Sequence, residues 1–166
     1  KNCEAIDIVS DTDTHYELIK LGIKHNKHIF VEKPICCTQM EVNRLIQKCE
    51  NYKSILQVGH IERYNPVVEY ASREIREGKW GEIITMSAQR VSPLEIEALH
   101  SSSKRRIDDV GVLFDLSIHD IDVMSYLSGS KIVSVSAMGG STSSIPHEDH
   151  VNILMKFDNG IIGLSE

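Results

Sequence analysis

The 166-residue chain contains no run near the ~18 consecutive apolar residues that a membrane span requires, so no transmembrane helix is expected. It has no basic excess. Eighteen Lys and Arg stand against 24 Asp and Glu, a formal net charge of -6, which leaves no positive field to displace counterions from nucleic acid. Its first residues carry no apolar leader, and Cys3, Cys36, Cys37 and Cys49 show no C-x-x-C spacing. A reduced, cytoplasmic protein without structural disulfides is therefore expected. Repeats and low-complexity tracts are absent, and so is any G-x-G-x-x-G turn, the usual opening of a dinucleotide site.

What is present, 41% hydrophobic and 25% charged, suffices for a buried core. The first third alternates strand and helix. Residues 6–10, 28–31 and 55–58 are short apolar runs of strand type. Thr14-His15-Tyr16-Glu17 and Thr38-Gln39-Met40-Glu41 have capping-box form and predict two helices between those strands. In the second helix Val42, Leu45, Ile46 and Cys49 form one apolar stripe. Strands joined by helices imply right-handed crossovers and a parallel sheet, half of a doubly wound domain.

The remainder reads as a different layer type. Val67, Val68, Ala71 and Ile75 mark an amphipathic helix ending at Gly78, and a strand follows over 82–90. A long helix spans about 110–127, closed by Gly129, and strands are expected over 131–138 and 150–157. Asp158-Asn159-Gly160 predicts a type I′ hairpin. The fold class expected is thus α/β: the C-terminal half of a Rossmann-like parallel-sheet domain over 1–61, then part of an α+β domain with a mainly antiparallel open sheet over 62–166. The chain opens in a buried strand and closes within a hairpin arm, so it is expected to be the middle of a longer protein.

Three constellations can carry chemistry. Glu32-Lys33-Pro34 follows a parallel strand, where open α/β sheets bind ligands; a solvated lysine before a turn is the plain alternative. Asp115 and His119 lie at i and i+4 of the long helix amid apolar neighbours. They read either as a buried general base with its orienting carboxylate or as an ion pair joining core elements; Asp122 lies one turn further on. Gly59-His60-Ile61-Glu62-Arg63-Tyr64-Asn65-Pro66 offers groups that could read a polar ligand, or forms a hinge. His147 and His150 are poorly spaced for a metal, and no third ligand is apparent, so no metal is expected. His25, His28 and His100 read as surface residues, residues 101–103 as a loop, and Cys36 and Cys37 lack a local base.

Together these segments resemble the glucose–fructose oxidoreductase / inositol dehydrogenase (Gfo/Idh/MocA) family. The stretch His28-Ile29-Phe30-Val31-Glu32-Lys33-Pro34 is similar to its H-V-x-x-E-K-P motif. The stretch from Gly111 through Asp115 and His119 is similar to its G-x-L-x-D-x-x-x-H helix, and the segment from Gln57 to Pro66 resembles a subgroup acting on UDP-N-acetylhexosamines. The resemblance covers essentially the whole chain, in the family's order. It implies an NAD- or NADP-dependent dehydrogenase acting on a sugar or UDP-sugar hydroxyl. In that reading Lys33, Asp115 and His119 are catalytic: Lys33 polarises the reacting oxygen, His119 is the general base, and Asp115 orients the site. Ser10, Asp11, Thr12 and His15 align with the family's T-P-T-x-x-H turn and, with Glu32, Lys33 and Pro34, would meet the cofactor. Asp11 stands where proline is usual. His60, Arg63, Tyr64 and Asn65 would meet substrate. The family's glycine-rich front is missing, so this stretch by itself is expected to bind NAD(H) weakly. A homo-oligomer through the second domain's sheet is expected, and the alternative function is a non-catalytic nucleotide-sugar-binding or assembly protein.

Overall fold

The computed structural model describes residues 3–92, 111–142 and 147–166. The expectations for His100, for the loop 101–103 and for the start of the long helix at Val110 lie outside those residues. The chain divides into two compact units, Lys1–His60 and Ile61–Glu166.

In the first unit, β1 (Ala5–Ile8), β2 (His28–Val31) and β3 (Leu56–Val58) form a parallel sheet in the order β1-β2-β3. Two helices, α1 (Thr12–Lys24) and α2 (Gln39–Cys49), make the crossovers. Ile8, Ile19, Ile29, Val31, Cys36 and Leu45 form the core. Each such buried aliphatic side chain contributes about 1.5–3 kcal/mol. At Gly22 a side chain would stand 2.7 Å from Ile29 Cδ1, so α1 lies close against β2 because glycine occupies the contact.

The capping box at Thr38 forms as expected: its side chain accepts from Glu41 N–H, and the Glu41 carboxylate accepts from Thr38 N–H. The one expected at Thr14 does not. Helix α1 starts three residues earlier, with Asp11 in place of Thr14 as N-cap, and the Thr14 hydroxyl instead donates to Asp11 O at 2.7 Å. Glu17 has no N-cap N–H to close the box on, since Thr14 N–H already donates to Asp11 O at 2.9 Å, and its carboxylate accepts from Lys20 instead. The α2 stripe is also narrower than its spacing suggests, since Leu45 is buried while Ile46 is exposed.

In the second unit, a 3-10 turn (Ile61–Tyr64) leads into α3 (Pro66–Arg76), and β4 (Thr85–Ala88) follows. The long helix has two parts: a π-helical turn (Leu113–Ser117), then α4 (Ile118–Ser128), ended by Gly129 in the left-handed conformation. Strands β5 (Ile132–Gly140), β6 (His150–Phe157) and β7 (Ile162–Ser165) complete a sheet of order β4-β7-β6-β5. Its pairs are antiparallel except β4 with β7. Strand β6 alternates strictly and turns Val151, Ile153, Met155 and Phe157 inward, where Met124 and Ile161 join them.

Two local expectations are corrected here. The β6–β7 connection is a three-residue loop rather than a type I′ turn. Gly160 has φ +89° and Asn159 is not left-handed, while Gly160 N–H donates to Phe157 O and Phe157 N–H to Ile161 O. On α3, Val67 is exposed, and Ser72 and Glu74 are buried. No helix among the described residues is long and apolar enough to cross a membrane.

Candidate active site

The first unit gathers its candidates at the carboxyl ends of its parallel strands. The last rung between β1 and β2 is Glu32 N–H donating to Ile8 O at 3.0 Å, and the chain then turns through Lys33 into a cis Lys33-Pro34 peptide. Lys33 N–H donates to Glu32 Oε2 at 3.2 Å, which fixes the carboxylate beside the loop. Glu32 and Lys33 are half-buried and Pro34 is buried. After β3, Gly59 N–H donates to Val31 O at 2.7 Å, and a side chain at Gly59 would meet the Phe30 ring at 3.0 Å and Glu32 Cδ at 3.4 Å. Glycine there lets the Phe30 and Glu32 side chains lie over the backbone.

The turn after β1 is ordered by its own hydroxyls: Ser10 Oγ and Thr14 Oγ1 are 2.6 Å apart. Asp11 is exposed and makes no side-chain cap, whereas Ser10 and Thr12 are half-buried. His15 is 1% exposed; its Nδ1 lies 3.0 Å from Pro34 O and its Nε2 3.0 Å from Ser10 O. Both ring nitrogens are therefore occupied by backbone. Next to the loop, burial pushes the Cys36 thiol up to about 11, which leaves it unsuited to act as a nucleophile.

The second unit carries Asp115 and His119. Asp115 is exposed on the π-helical turn and His119 is buried at the start of α4, so the two do not share the buried environment that their apolar neighbours suggest. The turn before α4 is widened: Ile118 N–H reaches back five residues to Leu113 O, so Asp115 sits on a π turn and His119 on the α-helix that follows.

Besides His119 and Met124, α4 buries Asp120 and Asp122. A buried carboxylate needs a partner, and each has an arginine. Arg63 donates to Asp122 from Nε at 2.8 Å and from Nη2 at 2.5 Å; that hydrogen bonding holds the guanidinium above its ordinary range, and its plane lies 5.3 Å from the Tyr126 ring centre. Arg90 donates from Nε to Asp120 at 3.1 Å and from Nη1 to Glu62 at 3.3 Å, and Ser165 Oγ donates to the other Asp120 oxygen. A cavity of about 290 Å³ lies beside this network, lined largely by Val68, Met86, Val123, Met124 and Leu127.

Two substrate candidates thus have structural duties. Arg63 is committed to Asp122, and Asn65 Oδ1 caps α3 by accepting from Val67 N–H. His60 is half-buried and Tyr64 exposed. The pairing of Arg90 with Asp120 and Glu62 was not foreseen, because partners 28 and 30 residues apart leave no periodic signal. Glu148 lies between His147 and His150 in the stretch read above for a metal. Its backbone carbonyl accepts from Val112 N–H at 3.1 Å and its carboxylate packs on Gly111, at the start of the helix that bears Asp115 and His119. Among the described residues no group of three or more His, Cys, Asp or Glu could hold a metal ion.

Residues 1–60 match the family model of the oxidoreductase family with an NAD-binding Rossmann fold, and residues 68–166 match that of the GFO/IDH/MocA C-terminal domain. The chain is 28% identical to UDP-N-acetylglucosamine 3-dehydrogenase of Acidithiobacillus ferrooxidans, over 96% of this chain and 46% of that protein. It is 31% identical to scyllo-inositol 2-dehydrogenase (NAD(+)) of Bacillus subtilis, over 96% and 47%. The solved structure of myo-inositol 2-dehydrogenase from Lactobacillus plantarum superposes with a TM-score of 0.84 at 25% identity, covering 99% of this chain and 50% of that one. The chain spans about half the length of these relatives. With family models matched across both of its units, the chain belongs to the Gfo/Idh/MocA family of oxidoreductases.

Proposed function

We propose that this chain forms the catalytic part of an NAD- or NADP-dependent dehydrogenase that oxidises a secondary hydroxyl of a sugar or nucleotide sugar. The observation that carries the reading is Lys33, placed by β2 at the carboxyl edge of a parallel sheet whose unit matches an NAD-binding Rossmann fold. That edge fits a dinucleotide. Glu32 follows β2 and Gly59 follows β3 at that edge, Ser10 stands two residues beyond β1, and buried His15 and Pro34 close its deep side. Ser10, Asp11, Thr12, Glu32, Lys33 and Pro34 would line the cofactor's path, and NAD or NADP, when bound, supplies the hydride acceptor. Lys33 then stabilises the charge developing on the substrate oxygen, and His119 takes the hydroxyl proton. Asp115, exposed on the turn before His119, orients the site and tunes its charge.

A UDP-N-acetylhexosamine is the favoured substrate, supported by the segment from Gln57 to Pro66 and by the Acidithiobacillus relative, with His60 and Tyr64 as the remaining substrate contacts. The outward face of the second sheet carries Met138, Leu154 and Ile162, all exposed, which supports a homo-oligomer through that face. All four cysteines are free thiols, as suits the reducing cytoplasm.

The test is a spectrophotometric assay of the whole protein that contains this chain, with NAD or NADP and a panel of UDP-sugars and inositols. Reduction of the cofactor by one of them is expected. Binding of nucleotide sugar with no cofactor reduction would replace this reading by the non-catalytic one.

A further inference from the structure

We propose that His15 is a positioning residue for Lys33, acting by tying the Lys33 loop to the turn after β1, and that it makes no contact with the dinucleotide. The inference rests on the reading of Lys33 given above. The β1–β2 ladder ends at the pair Ile8–Val31, with Glu32 N–H to Ile8 O as its final rung. Beyond that rung the two strands diverge into the loops that carry Ser10 and Lys33-Pro34. The His15 ring spans that gap: 3.0 Å to Ser10 O on one side, 3.0 Å to Pro34 O on the other. It stands on the first turns of α1 at 1% exposure, so a ligand finds neither ring surface nor a ring nitrogen.

The chemistry of the contacts sharpens the role. Both facing atoms are carbonyl oxygens, which only accept, and a neutral imidazole carries one N–H. A neutral ring therefore donates to one loop at a time, and a doubly protonated ring donates to both. An asparagine at this position would place an amide N–H where Nδ1 stands, toward Pro34 O, and would not reach Ser10.

The experiment uses the whole protein that contains this chain and compares wild type, His15→Ala, His15→Asn and Lys33→Ala. Steady-state kinetics are read beside amide hydrogen exchange by mass spectrometry over residues 9–15 and 32–37, with β1–β3 and β6 as references. A misplacement of about 1 Å costs on the order of 10²-fold in rate, so His15→Ala is expected to lower kcat about that much with KM little changed. His15→Asn is expected to recover part of the loss, with exchange rising only in the two loops. Wild-type kcat in His15→Ala, in an enzyme that Lys33→Ala inactivates, overturns the proposal. Exchange that rises equally through β1–β3 overturns it too, since His15 would then be a general core residue. If wild type itself turns over no sugar, the dehydrogenase reading fails on its own, and exchange alone decides on His15: a rise confined to the two loops supports its tying role, and any other pattern overturns it. If His15→Ala does not fold, the same criterion is applied to His15→Asn.

Discussion

The Arg63 guanidinium grips the Asp122 carboxylate with two parallel hydrogen bonds, 2.8 and 2.5 Å long, across 59 residues of sequence. Asp122 is 8% exposed, so removing Arg63 takes a paired cation away from a carboxylate in the interior. Arg63→Ala is expected to destabilise the protein by roughly 1–3 kcal/mol, the cost of losing two charge-assisted hydrogen bonds to a buried carboxylate from a partner that is itself partly solvated. Arg63→Lys should recover little, because an ammonium offers neither the two-pronged geometry nor the stacking on Tyr126. Urea midpoints of the three proteins check this, and a lysine variant as stable as wild type would show that charge alone sufficed.

Catalysis gives the second prediction. If His119 is the base and Lys33 the electrophile, His119→Ala and Lys33→Ala each lower kcat by about 10²–10⁴-fold with the circular dichroism spectrum unchanged. Asp115→Asn should cost distinctly less, since an exposed carboxylate acts through solvent-screened charge. An Asp115 variant as inactive as the His119 variant would mean that Asp115 touches the reacting groups directly.

The outline of this fold is legible wherever one signal dominates. Thr38 and Glu41 announce α2, because a reciprocal cap needs only residues three apart, and the alternation of Val151, Ile153, Met155 and Phe157 announces β6, because one face is buried throughout. The site is legible by residue type and less so by environment. Nothing in the spacing of Val112, Leu113, Phe114 and Leu116 marks a π turn, so Asp115 reads as buried with His119 when it is exposed. Asn159-Gly160 fits a type I′ turn by composition, yet the paired register of β6 and β7 requires three residues in the loop, and only Gly160 takes the positive φ. The arginine partners of Asp120 and Asp122 come from distant elements, and no local pattern encodes them.

Thiol reactivity follows from burial. Cys36 sits in the core with its thiol raised to about 11, so at pH 8 only about one molecule in 10³ carries the thiolate. Cys3 and Cys37 are exposed. Brief iodoacetamide treatment at pH 8 should label Cys3 and Cys37 and leave Cys36 unmodified until the protein is unfolded. Peptide mapping reads this, and early Cys36 labelling would show that the first unit opens readily.

Glu74 predicts a pH dependence. Buried on α3, it accepts from Lys79 Nζ at 3.0 Å, and this bond, assisted by Arg73, holds its carboxyl below the ordinary 4.5. The folded state thus releases this proton more readily than the unfolded state. The resulting stabilisation is complete above about pH 4.5 and disappears as pH falls through the lower folded value. Glu74→Gln should therefore flatten the acid side of the stability profile, and an unchanged acid slope in thermal melts would remove Glu74 from the account.

Gly111 and Glu148 give a prediction that separates two kinds of strain. Gly111 has φ +59°, and a side chain there would stand 2.5 Å from Glu148 Oε1. Alanine in the left-handed region costs about 1–2 kcal/mol by its backbone alone, and the clash adds the cost of moving the Glu148 side chain away from the helix start. In a Glu148→Ala background the clash disappears while the backbone cost stays. Gly111→Ala should then destabilise less than it does in wild type, a non-additivity that a double-mutant cycle measures directly. Because Glu148 also accepts from Val112 through its backbone carbonyl, truncating its side chain leaves that tie intact, and the cycle isolates the carboxylate contact. Equal costs in the two backgrounds would mean that the carboxylate moves aside freely, and the helix bearing Asp115 and His119 would then owe its placement to the Val112 hydrogen bond and not to the Glu148 side chain.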